Sequence, residues 1–297
     1  MARKIRNRKT VEQRREEAQA LADTIAEQVE QLRNSEAWTR FLEFAQAFHN
    51  YSLNNLLLIL AQNPTATHVA GYRTWQKLGR QVRKGERGLR IFGGRDKTMT
   101  ETDEDTGEEK AVRRTIFFPL SVFDISQTDL IDPEASDPAE ISQRLTGDEP
   151  LGILEAVTDY LTSQGWTVTH EAIPGEANGY TTIDGSRRVV IDENLSPAQA
   201  AKTALHEAAH VILHAEEDAG EYIAHRGIKE TEAESVAYVV AGLLGLDTSA
   251  YSIGYIAGWS NCETELIKET ASKVLRAANT LADAITIEEQ TKDEHAA

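Results

Sequence analysis

Residues 196–214 read SPAQAAKTALHEAAHVILH, and His206-Glu207-Ala208-Ala209-His210 within them decides how the second half of the chain is read. Ser196 and Pro197 are N-cap and first-turn residues, so the pattern predicts a helix over 196–214. Two histidines four apart lie one turn above each other on one helix face, where both imidazoles reach a single ion at about 2.0–2.1 Å. Glu207 stands beside the first histidine and off that axis, placed to meet a metal-bound water without occupying a coordination position. The stretch therefore nominates His206 and His210 as metal ligands and Glu207 as the catalytic base. His214 follows at the same spacing, but a fourth protein ligand would close the site to water and is not expected.

A third ligand has to come from a later helix, and residues 229–237, KETEAESVA, offer Glu230, Glu232 and Glu234. Glu230 and Glu234 share a face. If Glu230 coordinates the ion, Glu234 one turn on can accept the outer N–H of a histidine ligand and fix its tautomer. Glu232 points roughly 160° away from Glu230. Glu230 is the favoured ligand, with its neighbours as alternatives. Upstream, residues 151–162 read as a helix and 166–173 as a strand. Residues 180–183 and 188–191 flank Asp184-Gly185 as a β-hairpin. With helices at 229–244 and 261–285, the C-terminal part is an α+β domain over 151–297. Residues 131–150 hold three prolines, many acids and few large apolar residues, the composition of an interdomain linker.

The whole chain has 297 residues, which suggests two domains. Its longest apolar run, residues 56–61, is far too short to cross a bilayer, and its start at residues 1–10 leads into polar helix rather than a secretory signal. Cys262 is the single cysteine, so no internal disulfide forms and a reducing cytoplasm fits. The net charge of −17 argues against a nucleic-acid partner only if it is spread evenly, and it is not. Residues 71–97 carry nine Lys or Arg against two acids, whereas residues 101–150 carry fourteen acids against four bases.

In residues 1–130, a basic tail at 1–9 precedes three amphipathic helices, ending near residues 32, 48 and 63, that are expected to share a core. A short helix at 74–78 and strands at 89–92 and 115–124 follow, with 98–110 as an exposed hairpin loop. Tyr51, Tyr72, Trp75 and Phe92 alternate with the basic strip. Cations that track phosphate and rings that stack on bases are what single-stranded nucleic acid requires.

Two resemblances sharpen these readings. Residues 180–244, including HEAAHVILH and KETEAESVAYVVAGLL, resemble the ImmA/IrrE group of zinc metallopeptidases, which couples H-E-x-x-H to a later E-x-x-A-x-x-x-A, here Glu230, Ala233 and Ala237. That resemblance implies a gluzincin-like fold, one Zn2+ ion held by His206, His210 and Glu230, and a substrate-pairing edge strand at 188–192. Residues of about 35–130 resemble the single-stranded-DNA-binding domain of ArdC-type antirestriction proteins. The matching residues are Tyr51 and Asn55, then Trp75, then Leu78, Gly79, Val82, Lys84 and Gly85, and finally Val122, Phe123 and Asp124. ArdC proteins themselves join such a domain to a zinc metallopeptidase-like one, although the second half here is closer to the ImmA/IrrE variety.

The expected protein is a cytoplasmic, mobile-element-associated zinc endopeptidase tethered to a single-stranded-DNA-binding domain, acting on an unknown protein substrate and on no membrane. One alternative is a non-proteolytic antirestriction protein that shields single-stranded DNA, with structural zinc. A second is a regulatory protease that cleaves a repressor. The expected DNA contacts are Tyr51, Asn55, Tyr72, Arg73, Trp75, Lys77, Arg80, Arg83, Lys84, Arg87 and Arg90. Candidates for oxyanion stabilisation are Tyr222, His225, Tyr251 and Tyr255.

Overall fold

The computed structural model describes residues 10–48, 51–102, 109–132, 151–175, 177–215, 226–246 and 263–286. The chain divides into two compact units, Met1–Glu30 with Asn54–Ile141, and Gln31–Leu53 with Ser142–Ala297. Both mix helix and sheet.

In the first unit, α1 (Val11–Gln31) is tied to the sheet by an ion pair between Glu17 and Arg90. Helix α3 (Leu53–Gln62) buries Leu56, Leu57, Leu58 and Ile59 completely. Strands β1 (Val69–Ala70), β4 (Glu109–Asp124) and β3 (Leu89–Thr102) form one antiparallel sheet in the order β1-β4-β3. A second pair joins β2 (Arg80–Val82) to β5 (Thr128–Leu130), with α4 (Tyr72–Lys77) just before β2. The free edge of β3 is covered by amides from α3. Asn55 donates to Phe92 O at 2.8 Å and accepts from Phe92 N at 2.9 Å, while Gln62 makes the same two-way bond with Arg90 at 2.9 and 2.7 Å. Such pairing removes an exposed strand edge. The sequence places a loop at 98–110. Instead β3 and β4 continue outward as a long hairpin paired from Leu89↔Val122 to Thr102↔Glu109. Its outer sequence has no sustained alternation of apolar and polar residues, so the period-two signal of a half-buried strand is missing.

In the second unit, α5 (Leu151–Ser163) leads to β6 (Thr167–Glu171), and β7 (Gly179–Thr181) and β8 (Arg188–Asp192) form the expected antiparallel hairpin. The sheet order is β6-β8-β7, with β6 parallel to β8. Strand 188–192 is therefore central, with Val189, Val190 and Ile191 fully buried, and the edge strands beside it are β6 and β7, not the 188–192 segment the resemblance nominates. Helix α6 (Pro197–His214) begins where the sequence places it, with Ser196 Oγ accepting from Gln199 N at 3.3 Å. Its alanines 201, 204, 208 and 209 are buried, and the absence of bulk lets α7 (Arg226–Leu243) pack closely through Ala233, Val236, Ala237 and Val240. Helix α8 (Thr264–Ile285) covers α7 and α6.

The sequence groups the three N-terminal helices in one core, and the structure separates them. Helix α2 (Ser35–Ala47) belongs to the second unit and lies along α7. Buried Trp38 Nε1 donates to Ser235 Oγ at 3.1 Å, Tyr238 O–H to Glu43 at 3.5 Å, and Gln46 to Tyr238 O at 3.5 Å. Gly242, one turn further on, leaves the space that the Gln46 side chain fills.

Candidate functional site

Packing of α6 on α7 brings together the residues nominated by the histidine motif. Among the described residues, His206, His210 and Glu230 form the group whose donor atoms lie within 4.8 Å of one another. His206 Nε2 is 3.0 Å from His210 Nε2, and Glu230 Oε2 is 3.4 Å and 3.6 Å from these two nitrogens. Donors held about 2.0–2.1 Å from a tetrahedral centre are separated by roughly 3.3–3.4 Å, so the observed triangle has the right size for one transition-metal ion. Three protein donors leave a fourth position open to water or substrate.

The surrounding groups orient this triangle. Glu234 Oε2 lies 3.1 Å from His206 Nδ1, and Lys202 Nζ lies 3.5 Å from the other oxygen of Glu234. A Nδ1–H bonded to Glu234 leaves the Nε2 lone pair aimed at the shared point. Burial disfavours a charged His206 ring, but hydrogen bonds to Glu230 and Glu234 outweigh it and push its pKa up to about 10. Hydrogen bonds to His206 and His210 hold Glu230 well below the usual carboxylate range despite burial. Burial also works against the Glu234 carboxylate, yet its bond to His206 and the Lys202 ammonium keep its pKa below the ordinary value. Thus the pocket without an ion stabilises a proton where a cation would bind, as expected of donors arranged for positive charge.

Glu207 is 5% exposed, and burial raises its pKa while the two histidines oppose the shift. Its Oε2 accepts from Thr181 Oγ1 at 2.7 Å, so the edge strand β7 fixes the carboxylate. Gly179 on the same strand permits this approach. A Cβ there would lie 2.6 Å from Thr203 Cγ2, 3.0 Å from Val190 O and 3.2 Å from Glu207 Oε1. Thr181 was not legible as a site residue. Its contact spans 26 positions and arises only when the sheet docks on α6.

Glu232 and His214 fall outside the triangle. They face each other at 3.6 Å on the buried side of α7, where burial raises Glu232 and, together with His210, lowers His214 to about 3. Tyr222, His225, Tyr251 and Tyr255 lie outside the described residues, as do the basic tail and most of the acidic linker.

The nominated DNA contacts separate into two groups. Asn55 bonds both backbone groups of Phe92, and Trp75 is 3% exposed with its Nε1 donating to Phe123 O at 2.8 Å, so both side chains are engaged within the domain. Arg80 is buried and bonded to Thr128, and Arg90 pairs with Glu17 and Ser121. Tyr51 is half-buried, edge-on to Phe48, and groups with the second unit. Arg83 pairs with Glu86 and Asp129, each at 3.2 Å. The remaining group, Tyr72, Arg73, Lys77, Lys84 and Arg87, is exposed. Tyr72 and Lys84 line an open groove together with Gly85, Phe123 and Ile131.

Comparison with known proteins finds a family match in each half of the chain. Residues 15–123 match the N-terminal domain of anti-restriction factor ArdC, and residues 161–245 match the IrrE N-terminal-like domain, a Peptidase M78 family. An uncharacterized protein of Bacillus anthracis is 27% identical over 304 aligned residues, covering 92% of this chain and 51% of its own length. The chain thus spans about half the length of that curated relative. Among solved structures, the metal-free antirestriction ArdC protein from the R388 plasmid is 24% identical, with a TM-score of 0.45, over 79% of this chain and 84% of that one. Its Mn(II)-bound form is 20% identical, with a TM-score of 0.42, over 80% and 89%. Among the described residues no helix is long and apolar enough to cross a membrane. The chain thus joins a segment that matches the ArdC N-terminal domain to one that matches the IrrE N-terminal-like domain of Peptidase M78.

Proposed function

We propose that the protein is a zinc-dependent endopeptidase of the antirestriction type, tethered to a domain that binds single-stranded DNA. The donor triangle of His206, His210 and Glu230 beside the buried carboxylate of Glu207 carries this reading. His206, His210 and Glu230 would hold a zinc ion, which would supply Lewis acidity toward a peptide carbonyl and an attacking water. The chain's own residues do the rest. Glu234 keeps His206 in the tautomer whose Nε2 faces the ion. Thr181 holds one oxygen of Glu207, leaving the other to accept a proton from the attacking water and return it to the departing amine nitrogen. A carboxylate whose pKa burial has raised is a stronger base than one in open solvent and takes up the water's proton more readily, which suits an acid–base role near neutrality.

The nucleic-acid part is supported by the ArdC-type domain and by the exposed group of Tyr72, Arg73, Lys77, Lys84 and Arg87. Tethering gives a physical advantage, because a protease linked to a strand meets other proteins on it at effective concentrations up to millimolar. The domain division proposed is an ArdC-type part to about residue 130, a linker at 131–150 and a peptidase part from 151, with residues 31–53 added to the peptidase. Glu207→Gln tests the chemistry. The variant should retain zinc at one equivalent and fail to digest casein, with or without a single-stranded oligonucleotide. Undiminished digestion by a zinc-loaded Glu207→Gln protein would show that the hydrolysis does not run through this site.

A further inference from the structure

Lys202 is the one Lys or Arg of helix α6, and it stands on the face of that helix that carries the candidate metal ligands. It precedes His206 by four residues, as His206 precedes His210, so the three side chains form a column one helical turn apart. On α7, Glu230 and Glu234 repeat the same spacing. The contacts join the two columns in opposite chain directions. Glu230 Oε2 lies between the Nε2 atoms of His210 and His206, at 3.6 Å and 3.4 Å. One turn on, the Glu234 carboxylate lies between His206 Nδ1 and Lys202 Nζ, at 3.1 Å and 3.5 Å. Each carboxylate fills the gap between two basic groups of α6, and the second gap ends on an ammonium where the first ends on an imidazole.

An ordinary ion pair between helices explains the contact but not its placement. A lysine that only keeps a helix soluble points to water, whereas the Lys202 side chain is 22% exposed and that of Glu234 19%. The ammonium meets Oε1, the oxygen that His206 leaves free, since His206 Nδ1 meets Oε2. A carboxylate held through one oxygen turns easily, because the terminal torsion of glutamate is broad. Held at both oxygens by donors on one helix, its plane is fixed. A fixed plane keeps an Oε2 lone pair aimed at Nδ1–H, and that bond sets the direction in which His206 Nε2 points.

We propose that Lys202 is a positioning residue of the metal site, locking Glu234 by Oε1 so that Oε2 holds the His206 ring with Nε2 aimed at the ion. This rests on the reading of the donor triangle as a zinc site. Its sign separates it from a simple charge effect. An ammonium near a dication repels it, so by charge alone the loss of Lys202 would tighten zinc binding. By positioning, the loss loosens it.

The test uses the full chain, with zinc titrated against a competing chelator. Lys202→Met keeps the apolar stem and removes the ammonium. Its zinc affinity should fall about 3–10-fold, less than the roughly 10–100-fold typical of losing a ligand's own partner, because Lys202 acts one contact further out. Lys202→Arg keeps a charged donor for Oε1 and should stay within about threefold of the wild type. In a Glu234→Ala background, where the link is already gone, Lys202→Met should cost nothing further. The Nδ1–H proton of His206 in the zinc-loaded chain should give a slowly exchanging NMR signal, assigned by its loss in Glu234→Ala. In Lys202→Met it should exchange faster, a change that lost packing elsewhere on α6 would not bring. If Lys202→Met melts early without the ion, Lys202→Gln, with a shorter polar side chain, should show the same loss. Zinc binding unchanged or tightened in these variants would overturn the proposal and leave the zinc site standing, as would a further loss in the Glu234→Ala background. A wild-type chain that takes up no zinc would overturn both this proposal and the reading beneath it.

Discussion

Helix α2 braces the helix that carries Glu230 without touching the candidate metal site, and its removal is the most informative perturbation of the fold. Ser235, Tyr238 and Gly242 lie three and four residues apart on the face of α7 that receives Trp38, Glu43 and Gln46. Glu230 and Glu234 lie on the face that meets His206 and His210. The same helix is thus braced on one side and presents carboxylates on the other. Trp38, Phe41, Leu42 and Phe44 are at most 7% exposed. At about 1.5–3 kcal/mol for each large apolar side chain, their burial amounts to roughly 6–12 kcal/mol. A whole domain is typically stable by about 5–15 kcal/mol. A fragment of residues 142–297 should therefore lack most of its stability and hold zinc poorly. Joining residues 31–53 to it through a flexible linker should restore both. Thermal melts followed by circular dichroism, with zinc titrated against a competing chelator, would measure the two effects together. A 142–297 fragment that melts cooperatively and binds zinc as tightly as the full chain would refute the assignment of α2 to this unit.

Four further outcomes are expected. Glu234→Gln removes the carboxylate that holds His206 Nδ1 and should lower zinc affinity about 10–100-fold in a chelator competition, with the fold preserved. Because His206 without the ion carries a proton up to about pH 10, loading at pH 8 should release about one proton, read by calorimetry in buffers of different ionisation enthalpy; a plateau in affinity above pH 7 would contradict this. The same raised pKa stabilises the ion-free fold below an unfolded value near 6.5 and loses that contribution as pH climbs through about 10, so the ion-free melting temperature should fall over this window. Trp75→Phe should cost about 1–3 kcal/mol by leaving Phe123 O without its buried donor, yet should leave oligothymidine affinity unchanged.

What the sequence discloses depends on how far apart the cooperating residues lie. His206, Glu207 and His210 are legible because their geometry is one turn of a single helix, fixed by local periodicity alone. Glu230 and Glu234 needed one further step, the assumption that a second helix packs alongside, and the buried alanines of α6 supply the reason that it does. Thr181 and the bracing by α2 were illegible for a different reason. An amphipathic helix announces that it is buried but not against what, and a threonine on a three-residue edge strand has no pattern of its own.

The ArdC-type signature identifies the domain, and several of its residues hold the frame. Asn55 and Trp75 are nominated as strand contacts, and Asp124 closes the signature. Here each saturates the backbone instead. Asn55 closes the edge of β3, Trp75 bonds Phe123 O, and Asp124 is 1% exposed, accepting from Thr67 N at 2.9 Å and Ser126 N at 2.9 Å to cap the turn at Ile125–Gln127. Polar groups used this way leave no capacity for a strand, since a buried donor or acceptor taken from the backbone would be costly to free. Residues that hold a frame in place must be particular, while those that meet a flexible polyanion need only charge and a ring face. Strand contacts in this domain should therefore be sought first among the exposed cations and rings between the signature positions, on the groove beside Tyr72 and Lys84.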